Sequence, residues 1–287
     1  MPLLKKGDTV ALTVCSNGKQ VEYRNQMKEL HEVLKGMGLK VIDSPYIFAK
    51  EGSASSGTGK QKAEILMSFY ENKEVKAIFD VSGGDLGNEV LPWLDFEKIK
   101  TNPKPFFGYS DLTVVLNSIL SQTGQMAFLY QINSLIWERG TAQKERFVKS
   151  LMEDAIDLFG ITTYFIQGEH IEGEVIGGNI RCFLKLAGTP YFPDVKDKIL
   201  FLESNSGNVE SLTSYLIQMK MMGIFDQVKG ILLGTFTEME RRRLQPPVED
   251  IVRDVVDNPN LTIVKTREIG HGTDSKCLII GGRYKID

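Results

Sequence analysis

The 287-residue chain has little of several features that mark common functional classes. Its three cysteines, Cys15, Cys182 and Cys277, lie far apart without C-x-x-C spacing, so neither a disulfide framework nor a thiolate zinc site is indicated. No uninterrupted apolar stretch of 18 residues occurs, and the amino-terminal segment lacks a signal-peptide pattern. We therefore expect neither membrane insertion nor export by that route, and a reducing cytoplasm is the expected location.

An excess of charge of either sign is also lacking. The formal net charge is −3, and the sequence pI is near 5.8. The one basic cluster, residues 241–243, closely follows Glu238 and Glu240, which is typical of a solvated loop. This distribution of charge gives no basic surface of the kind that binds nucleic acid. At 42% hydrophobic and 25% charged residues, the composition is that of a globular protein with a sizeable core.

Histidine is scarce, so the candidates for an imidazole base are few. His31 lies in an amphipathic helical pattern, and His170 lies in a polar segment between two strand patterns, so both are expected at the surface. His271 falls between two glycines after an apolar strand pattern, which could present its ring at a cleft or merely form a turn. Metal-binding histidine motifs such as H-E-x-x-H do not occur, so no metal site is predicted.

Strand and helix patterns alternate through the first half of the chain. An apolar strand at residues 9–15 is followed by a helical pattern at 27–37, and a second strand begins at residue 39. A helix over about 61–70 then precedes a strand at 75–81. This alternation predicts a doubly wound, mostly parallel sheet covered by helices.

The character of the sequence changes after Gly160, where short strand patterns with glycine turns replace the regular alternation. A polar helix is predicted from about 141 to 159, just before this change. We therefore predict an N-terminal α/β domain at residues 1–150, a linker at 151–165, and a smaller, β-rich α+β domain at 166–287.

The segment from Pro105 to Ser118 predicts a strand, a tight turn and an amphipathic helix. The turn places the Ser110 hydroxyl at a helix amino end, where free N–H groups and the helix dipole favour developing negative charge. Ser110 or Asp111 could instead serve only to cap that helix. An ordinary hydrolase elbow would also carry a second glycine at position 112, where this chain has Leu112.

Glu203 and the Gly83-Gly84 pair are two further candidates for catalysis or binding. Glu203 ends an apolar strand pattern, where an acid can orient an imidazole or can simply lie at the surface. The Gly83-Gly84 pair could offer backbone N–H groups to a phosphate or to an oxyanion, although the order of glycines does not match a dinucleotide or phosphate-loop motif. A non-catalytic anion- or sugar-binding module that uses this glycine pair is therefore a hypothesis of a different class.

These stretches occur in order along most of the chain, and together they resemble the serine peptidase family of LD-carboxypeptidases, which also contains the microcin immunity proteins. Each piece is moderately specific alone, and the ordered set is much more specific. The stretches that carry the resemblance are Ser82-Gly83-Gly84 with 91–95, the segment 102–113, Gly177-Gly178-Asn179, the segment 186–191, the segment 199–203 and Gly270-His271-Gly272.

The resemblance implies a catalytic triad of Ser110, Glu203 and His271, with the backbone N–H groups of Gly84 and Asp111 as oxyanion donors. It further implies a cofactor-free serine carboxypeptidase that acts on small peptides in the cytoplasm as a homodimer. The implied substrate is a muropeptide of peptidoglycan recycling, from which terminal D-alanine is released by cleavage of an L,D amide bond.

The same resemblance leaves an alternative activity open, a microcin-immunity-type amidase acting on peptidyl or aminoacyl nucleotides. Trp137 could then offer a stacking surface, although core packing is the other role that we consider for it. The chain departs from the family pattern around the glycine pair, with Ser82 before it and Asp85 after it, and again at Ser204 after the acid. These departures lie where substrate would be held. With the glycine loop and the possible stacking surface, they make Gly83, Asp85 and Trp137 the candidate substrate-binding residues.

Overall fold

The computed structural model describes residues 2–287 of the chain, and within them the backbone forms two six-stranded sheets. Strands and helices alternate in most of the chain, which confirms the α/β class. The strands are β1 (Thr9–Thr13), β2 (Lys40–Asp43), β3 (Val75–Asp80), β4 (Phe106–Gly108), β5 (Ala127–Leu129), β6 (Tyr164–Gln167), β7 (Ile171–Asn179), β8 (Ile199–Ser204), β9 (Gly230–Phe236), β10 (Thr262–Lys265), β11 (Leu278–Ile280) and β12 (Arg283–Ile286).

Helices connect the strands of both sheets. The second of them begins with a capping box, in which Thr58 and Gln61 exchange side-chain-to-backbone hydrogen bonds. No helix within residues 2–287 combines the length and the apolar character that a bilayer crossing requires. The helices are α1 (Arg24–Gly36), α2 (Gly59–Glu71), α3 (Phe96–Thr101), α4 (Thr113–Thr123), α5 (Gly140–Phe147), α6 (Ile180–Leu184), α7 (Val209–Met221), α8 (Thr237–Arg241) and α9 (Val248–Val256).

The first sheet has the strand order β11-β5-β4-β3-β1-β2, and its strands β1 to β5 run parallel. The chain starts at β1, moves outward to β2, and then returns past β1 to add β3, β4 and β5. The carboxyl ends of β1 and β3 therefore lie at a topological switch point, where α/β sheets bind ligands. The segments 15–17, 82–86 and 109–111 follow β1, β3 and β4 at this edge.

The second sheet has the strand order β12-β7-β8-β9-β10-β6 and is parallel in its four central strands. Every residue of β8 is buried, which is typical of a central parallel strand and fits its apolar run Ile199–Leu202 before Glu203 and Ser204. Asn179 ends β7, Glu203 lies near the end of β8, and His271 follows β10. The second sheet thus also carries polar residues at the carboxyl ends of parallel strands.

Direct contacts join the two sheets beside Ser110. The Asn117 amide in α4 donates to the carbonyl of Gly177 over 2.8 Å and accepts from its N–H over 2.9 Å. The Asn179 N–H donates to the Thr113 hydroxyl over 3.0 Å. These bonds hold the end of β7 against the start of α4, so the Ser110 turn lies close to Asn179.

Two details differ from the sequence-based predictions. The helix predicted over 141–159 is wrong in length, because α5 passes into a π-helical turn that ends at Met152. Beyond it, the Leu158 N–H donates to the Ser150 hydroxyl instead of to a helical carbonyl. The strand β11, near the carboxyl end of the chain, pairs antiparallel with β5 of the first sheet. The division of the chain at 151–165 stays a prediction.

Candidate active site

The Ser110 turn has a strained backbone. Ser110 has φ of 55°, a left-handed conformation that a non-glycine residue adopts at a cost of about 1–2 kcal/mol. A short 3-10 helix, Ser110–Leu112, follows the extended residue Tyr109 and leads directly into α4. The Ser110 side chain is half-buried, and its hydroxyl forms no hydrogen bond within residues 2–287. This turn therefore presents a free hydroxyl at the edge of the first sheet.

The predicted acid and histidine lie in direct contact. Glu203 is fully buried, and its Oε2 atom lies 2.7 Å from Nδ1 of His271. Two neutral donors also bind this carboxylate: the Tyr109 hydroxyl donates to Oε2 over 3.3 Å, and the Asn179 amide donates to Oε1 over 3.1 Å. A buried carboxylate with all of these partners is satisfied, and its contact with Nδ1 orients the imidazole.

The other ring nitrogen of His271 has no partner. Nε2 is buried and forms no hydrogen bond within the described part of the chain. The Tyr109 ring packs edge-on against the His271 ring, with centroids 4.8 Å apart. Because Tyr109 is the neighbour of Ser110, the structure brings all three predicted triad residues to one region. It joins Glu203 to His271, and it does not form the hydrogen bond between Ser110 and His271.

Gly270 explains why the histidine lies in a glycine turn. A Cβ atom at this position would lie 1.6 Å from the Thr235 hydroxyl oxygen, so no other residue fits there without movement of β9. Its N–H donates to the Ser275 hydroxyl over 3.1 Å, which closes the turn on the other side. The backbone before His271 is therefore held against the second sheet.

The backbone N–H groups of Gly84 and Asp111 donate to no acceptor within residues 2–287. Asp111 is the second residue of the 3-10 helix after Ser110, where N–H groups lack partners within the helix. Gly84 has φ of 123°, a conformation that favours glycine. Free N–H groups on each side of a nucleophile are what an oxyanion hole requires.

The side chain of Asp111 has a role that the capping hypothesis did not anticipate. Neither Ser110 nor Asp111 makes a side-chain cap, so the expectation that one of them caps the helix is wrong for the side chains. Asp111 is fully buried and accepts hydrogen bonds from the Ser16 hydroxyl and the Gly87 N–H, each over 2.6 Å. Its other oxygen lies 2.5 Å from the Lys185 ammonium. The Asp111 carboxylate thus binds groups from three separate segments of the chain, which are those of Ser16, Gly87 and Lys185.

A cleft of about 410 Å³ opens beside Ser110. Asp85, one of the predicted substrate-binding residues, lies in its wall and pairs with the Arg181 guanidinium. Gly83 and the half-buried Trp137 are not among the residues that line it. The lining residues are Gly84, Asp85, Ser110, Asn179, Arg181, Ser204, Asn205, Ser206, Gly207, Ser211 and Tyr215.

Several residues at the site were not found by reading the sequence. Tyr109 and Asn179 contact Glu203, while Arg181 and Lys185 reach the glycine loop from α6 and the turn that follows it. In the sequence, these two cations are four residues apart, directly after the strand that ends on Asn179. Helix α6 spans only five residues, which is too short to show a helical period that would place both cations on the same side of it.

Two ionisable groups next to the site, Tyr109 and Cys182, stay protonated and uncharged at neutral pH. Burial raises the pKa of Tyr109 well above its usual range, and the nearby Glu203 charge adds to this effect. Tyr109 therefore remains a hydroxyl donor at neutral pH. Burial likewise raises the pKa of the Cys182 thiol, so it is not a competing thiolate nucleophile. No group of His, Cys, Asp and Glu side chains suited to a metal ion occurs within residues 2–287.

Comparisons with known proteins identify the family. The LD-carboxypeptidase N-terminal domain matches residues 10–130, and the LD-carboxypeptidase C-terminal domain matches residues 172–286. The chain is 25% identical to the microcin C7 self-immunity protein MccF of Escherichia coli over 99% of this chain and 92% of the relative. It is also 25% identical to a probable murein peptide carboxypeptidase of Bacillus subtilis, over 99% and 90% respectively.

A solved structure gives the same result. MccF in complex with aspartyl sulfamoyl adenosine superimposes with a TM-score of 0.86 at 25% identity, covering 100% of this chain and 94% of that one. The two-domain fold is therefore shared over the full length of the chain. Because both family domains match in order, the chain belongs to the LD-carboxypeptidase family and is a hydrolase of the serine peptidase type.

Proposed function

We propose that this protein is a serine carboxypeptidase that hydrolyses the amide bond between an L-configured centre and the terminal D-alanine of a muropeptide. One observation carries the proposal: Glu203 holds Nδ1 of His271, and Nε2 is left buried without a partner close to the strained Ser110 turn. This is the arrangement of a general base waiting for a hydroxyl proton. Membership of the LD-carboxypeptidase family supports the class of substrate.

The first half of the proposed reaction forms an acyl-enzyme. Nε2 of His271 removes the Ser110 proton as Oγ attacks the carbonyl carbon, and the N–H groups of Gly84 and Asp111 stabilise the resulting oxyanion. The intermediate collapses with cleavage of the C–N bond, and the imidazolium gives its proton to the departing amine. D-alanine leaves, and an ester joins Ser110 to the remaining peptide.

The second half of the reaction restores the enzyme. A water molecule gives a proton to His271 as its oxygen attacks the ester, and the imidazolium then returns the proton to Oγ of Ser110. Glu203 stabilises the imidazolium in both halves, while the Tyr109 and Asn179 donors hold the carboxylate in place. For the proposed reaction the Ser110 hydroxyl has to reach Nε2 in the substrate complex, where catalytic hydrogen bonds commonly tighten.

The cleft contains one cation that a free carboxylate of the substrate could contact. Arg181 is the one cation among the residues that line the cleft, and its side chain is 40% exposed. It already pairs with the Asp85 carboxylate, so a terminal carboxylate next to the cleaved bond would share the Arg181 donors with Asp85. A carboxypeptidase substrate provides such a group at the required end of the peptide. We also expect a cytoplasmic homodimer that needs no cofactor, as the family resemblance implies.

A second candidate function is an amidase acting on aminoacyl or peptidyl nucleotides. It is favoured by the likeness to MccF, one of whose structures contains aspartyl sulfamoyl adenosine. Tyr215, and not Trp137, is the aromatic residue in the wall of the cleft. An aromatic ring there could stack against a nucleobase.

The experiment compares hydrolysis of a muramoyl tetrapeptide and of a peptidyl adenylate, with products identified by mass spectrometry. We expect release of D-alanine by the wild type, its loss in Ser110→Ala, and full activity in Ser68→Ala, a matched change on α2. Exclusive cleavage of the adenylate would support the second candidate. If neither substrate is cleaved and a serine-directed phosphonate fails to label Ser110, the protein is a binding module and the proposal is wrong.

A further inference from the structure

The loop that carries Gly84 contacts Asn17, a residue that follows β1 of the first sheet, through both its backbone and its side chain. The Asn17 N–H donates to the Gly83 carbonyl over 3.2 Å. The side-chain Oδ1 of Asn17 accepts hydrogen bonds from the N–H of Asp85 over 3.0 Å and from the N–H of Leu86 over 3.2 Å. Asn17 therefore binds three successive peptide groups of the loop.

The first of these bonds sets the direction of the Gly84 N–H. The Gly83 carbonyl and the Gly84 N–H belong to one planar trans peptide group, in which they point in opposite directions. Because the carbonyl faces the Asn17 backbone, the Gly84 N–H faces away from it. A Cβ at Gly84 would lie 2.3 Å from Cγ of Asn17, so the loop backbone also packs tightly against the amide.

The next two peptide groups are held from both sides. Their N–H groups bind Oδ1 of Asn17, and their carbonyls accept from the other half of the chain. Arg181 donates to the Gly84 carbonyl over 3.2 Å, and Lys185 donates to the Asp85 carbonyl over 2.8 Å. Without these contacts, two adjacent glycines would leave the loop with wide conformational freedom.

Asn17 itself has a fixed position. The two residues before it also donate to the segment after β3: the Cys15 N–H binds the Asp80 carboxylate over 2.7 Å, and the Ser16 N–H binds the Ser82 hydroxyl over 3.0 Å. Asp80 is buried and also accepts from the N–H of Ser82 over 2.7 Å. The two segments thus form one hydrogen-bonded unit at the switch point of the first sheet.

We propose that Asn17 is a positioning residue: its backbone N–H sets the direction of the Gly84 N–H required of an oxyanion donor, and its side-chain Oδ1 keeps the loop in that conformation by holding the next two peptide groups. The inference rests on the proposed function, because this N–H contributes to catalysis only if Ser110 attacks a carbonyl. Donors stabilise an oxyanion strongly when they are oriented before the reaction begins. Asn17 supplies that orientation without touching the substrate.

The test uses Asn17→Leu, which removes the Oδ1 acceptor at similar size and leaves the backbone bond to the Gly83 carbonyl, and Asn17→Asp, which keeps the acceptor. Asn72→Leu is the matched control, since Asn72 Oδ1 also accepts a loop N–H, that of Glu74, over 3.0 Å. Hydrogen exchange of the Asp85 and Leu86 amides is followed by NMR. We expect exchange to be at least about 10-fold faster in Asn17→Leu and close to wild type in Asn17→Asp and Asn72→Leu.

Kinetics on the muramoyl tetrapeptide provide the second measurement. We expect Asn17→Leu to lower kcat by about 10- to 100-fold and to leave KM within about threefold, because the lost interaction acts in the transition state. Phosphonylation of Ser110 should slow in parallel. An unchanged kcat in a folded Asn17→Leu protein, or unchanged amide exchange, would overturn the inference. If the wild type neither hydrolyses nor reacts with the phosphonate, the proposed function fails, and amide exchange alone still decides whether Asn17 holds the loop.

Discussion

Nδ1 of His271 lies 2.7 Å from Oε2 of Glu203, and the other ring nitrogen is buried without a partner. The contact determines which nitrogen of the ring remains free to accept a proton. Oε2 also accepts from Tyr109, while Oε1 accepts from Asn179, so both carboxylate oxygens face hydrogen-bond donors. An acceptor-only group is therefore required at this position.

Glu203→Gln tests this requirement. Either orientation of the new amide places an NH₂ group against a donor, and one of them forces His271 into the tautomer that cannot accept a proton at Nε2. We expect kcat to fall by about 10³- to 10⁴-fold while the fold is retained. Steady-state kinetics and circular dichroism measure the two effects. The exposed change Glu64→Gln should leave kcat unaltered, and a Glu203→Gln enzyme of near-normal activity would contradict the role of the acid.

Ser110→Gly and Ser110→Ala separate the chemistry of Ser110 from its backbone strain. Both changes remove the hydroxyl, so both should abolish hydrolysis. Because φ is 55°, glycine relieves the strain that alanine retains, and Ser110→Gly should be more stable than Ser110→Ala by about 1 kcal/mol. Urea unfolding measures the difference. Equal stabilities would show that the turn relaxes to an ordinary backbone conformation in solution.

Tyr109→Phe removes one donor from the Glu203 carboxylate. The hydrogen bond is long at 3.3 Å, so we expect kcat to fall only about 3- to 10-fold, with KM unchanged. Tyr70→Phe is the matched control, since the Tyr70 hydroxyl is buried without a partner within the described residues. Its removal should leave kcat unaltered and raise the free energy of unfolding by about 1 kcal/mol. A larger loss of activity in Tyr70→Phe than in Tyr109→Phe would refute both assignments.

Lys265→Met tests a buried cation whose carboxylate partners lie outside the residues that line the cleft. The Lys265 side chain is 3% exposed, and its ammonium lies 2.6 Å from a carboxylate oxygen of each of Glu240 and Glu249. Burial alone would raise the pKa of Glu249, but the hydrogen bond and charge of Lys265, together with a backbone hydrogen bond and the Arg267 charge, outweigh it and lower that pKa. The pair therefore contributes stability that is present above the unfolded-state pKa of about 4.3 and is lost as the pH falls through the lower folded-state value.

We expect Lys265→Met to lower the free energy of unfolding by about 1.5–3 kcal/mol at pH 7, and by less below about pH 4. Urea unfolding at several pH values measures the change. Lys60→Met removes an exposed pair with Glu64 at 4.0 Å and should alter stability by less than about 0.5 kcal/mol. A loss in Lys265→Met that stays constant with pH would exclude an electrostatic origin.

Local patterns predicted much of the fold because burial in strands and helices repeats over short windows. The strand ending at Asp80, the strand ending at Gly108 and the apolar β8 follow directly from runs of apolar residues. The helix predicted over 141–159 is too long because its end depends on a π-helical turn and on a hydrogen bond to Ser150. The placement of β11 in the first sheet also depends on pairing across more than 140 residues, which no local window contains.

The sequence by itself determined the family and singled out Ser110, Glu203 and His271 as candidates, because each lies in a short stretch with its own turn or strand chemistry. Only the tertiary structure decided that Glu203 contacts His271, that Tyr109 and Asn179 bind the same carboxylate, and that Asn17 holds the Gly84 loop. These contacts join residues 24 to 94 positions apart. The packing of the two sheets brings these distant residues together, and this packing cannot be read from their spacing in the sequence.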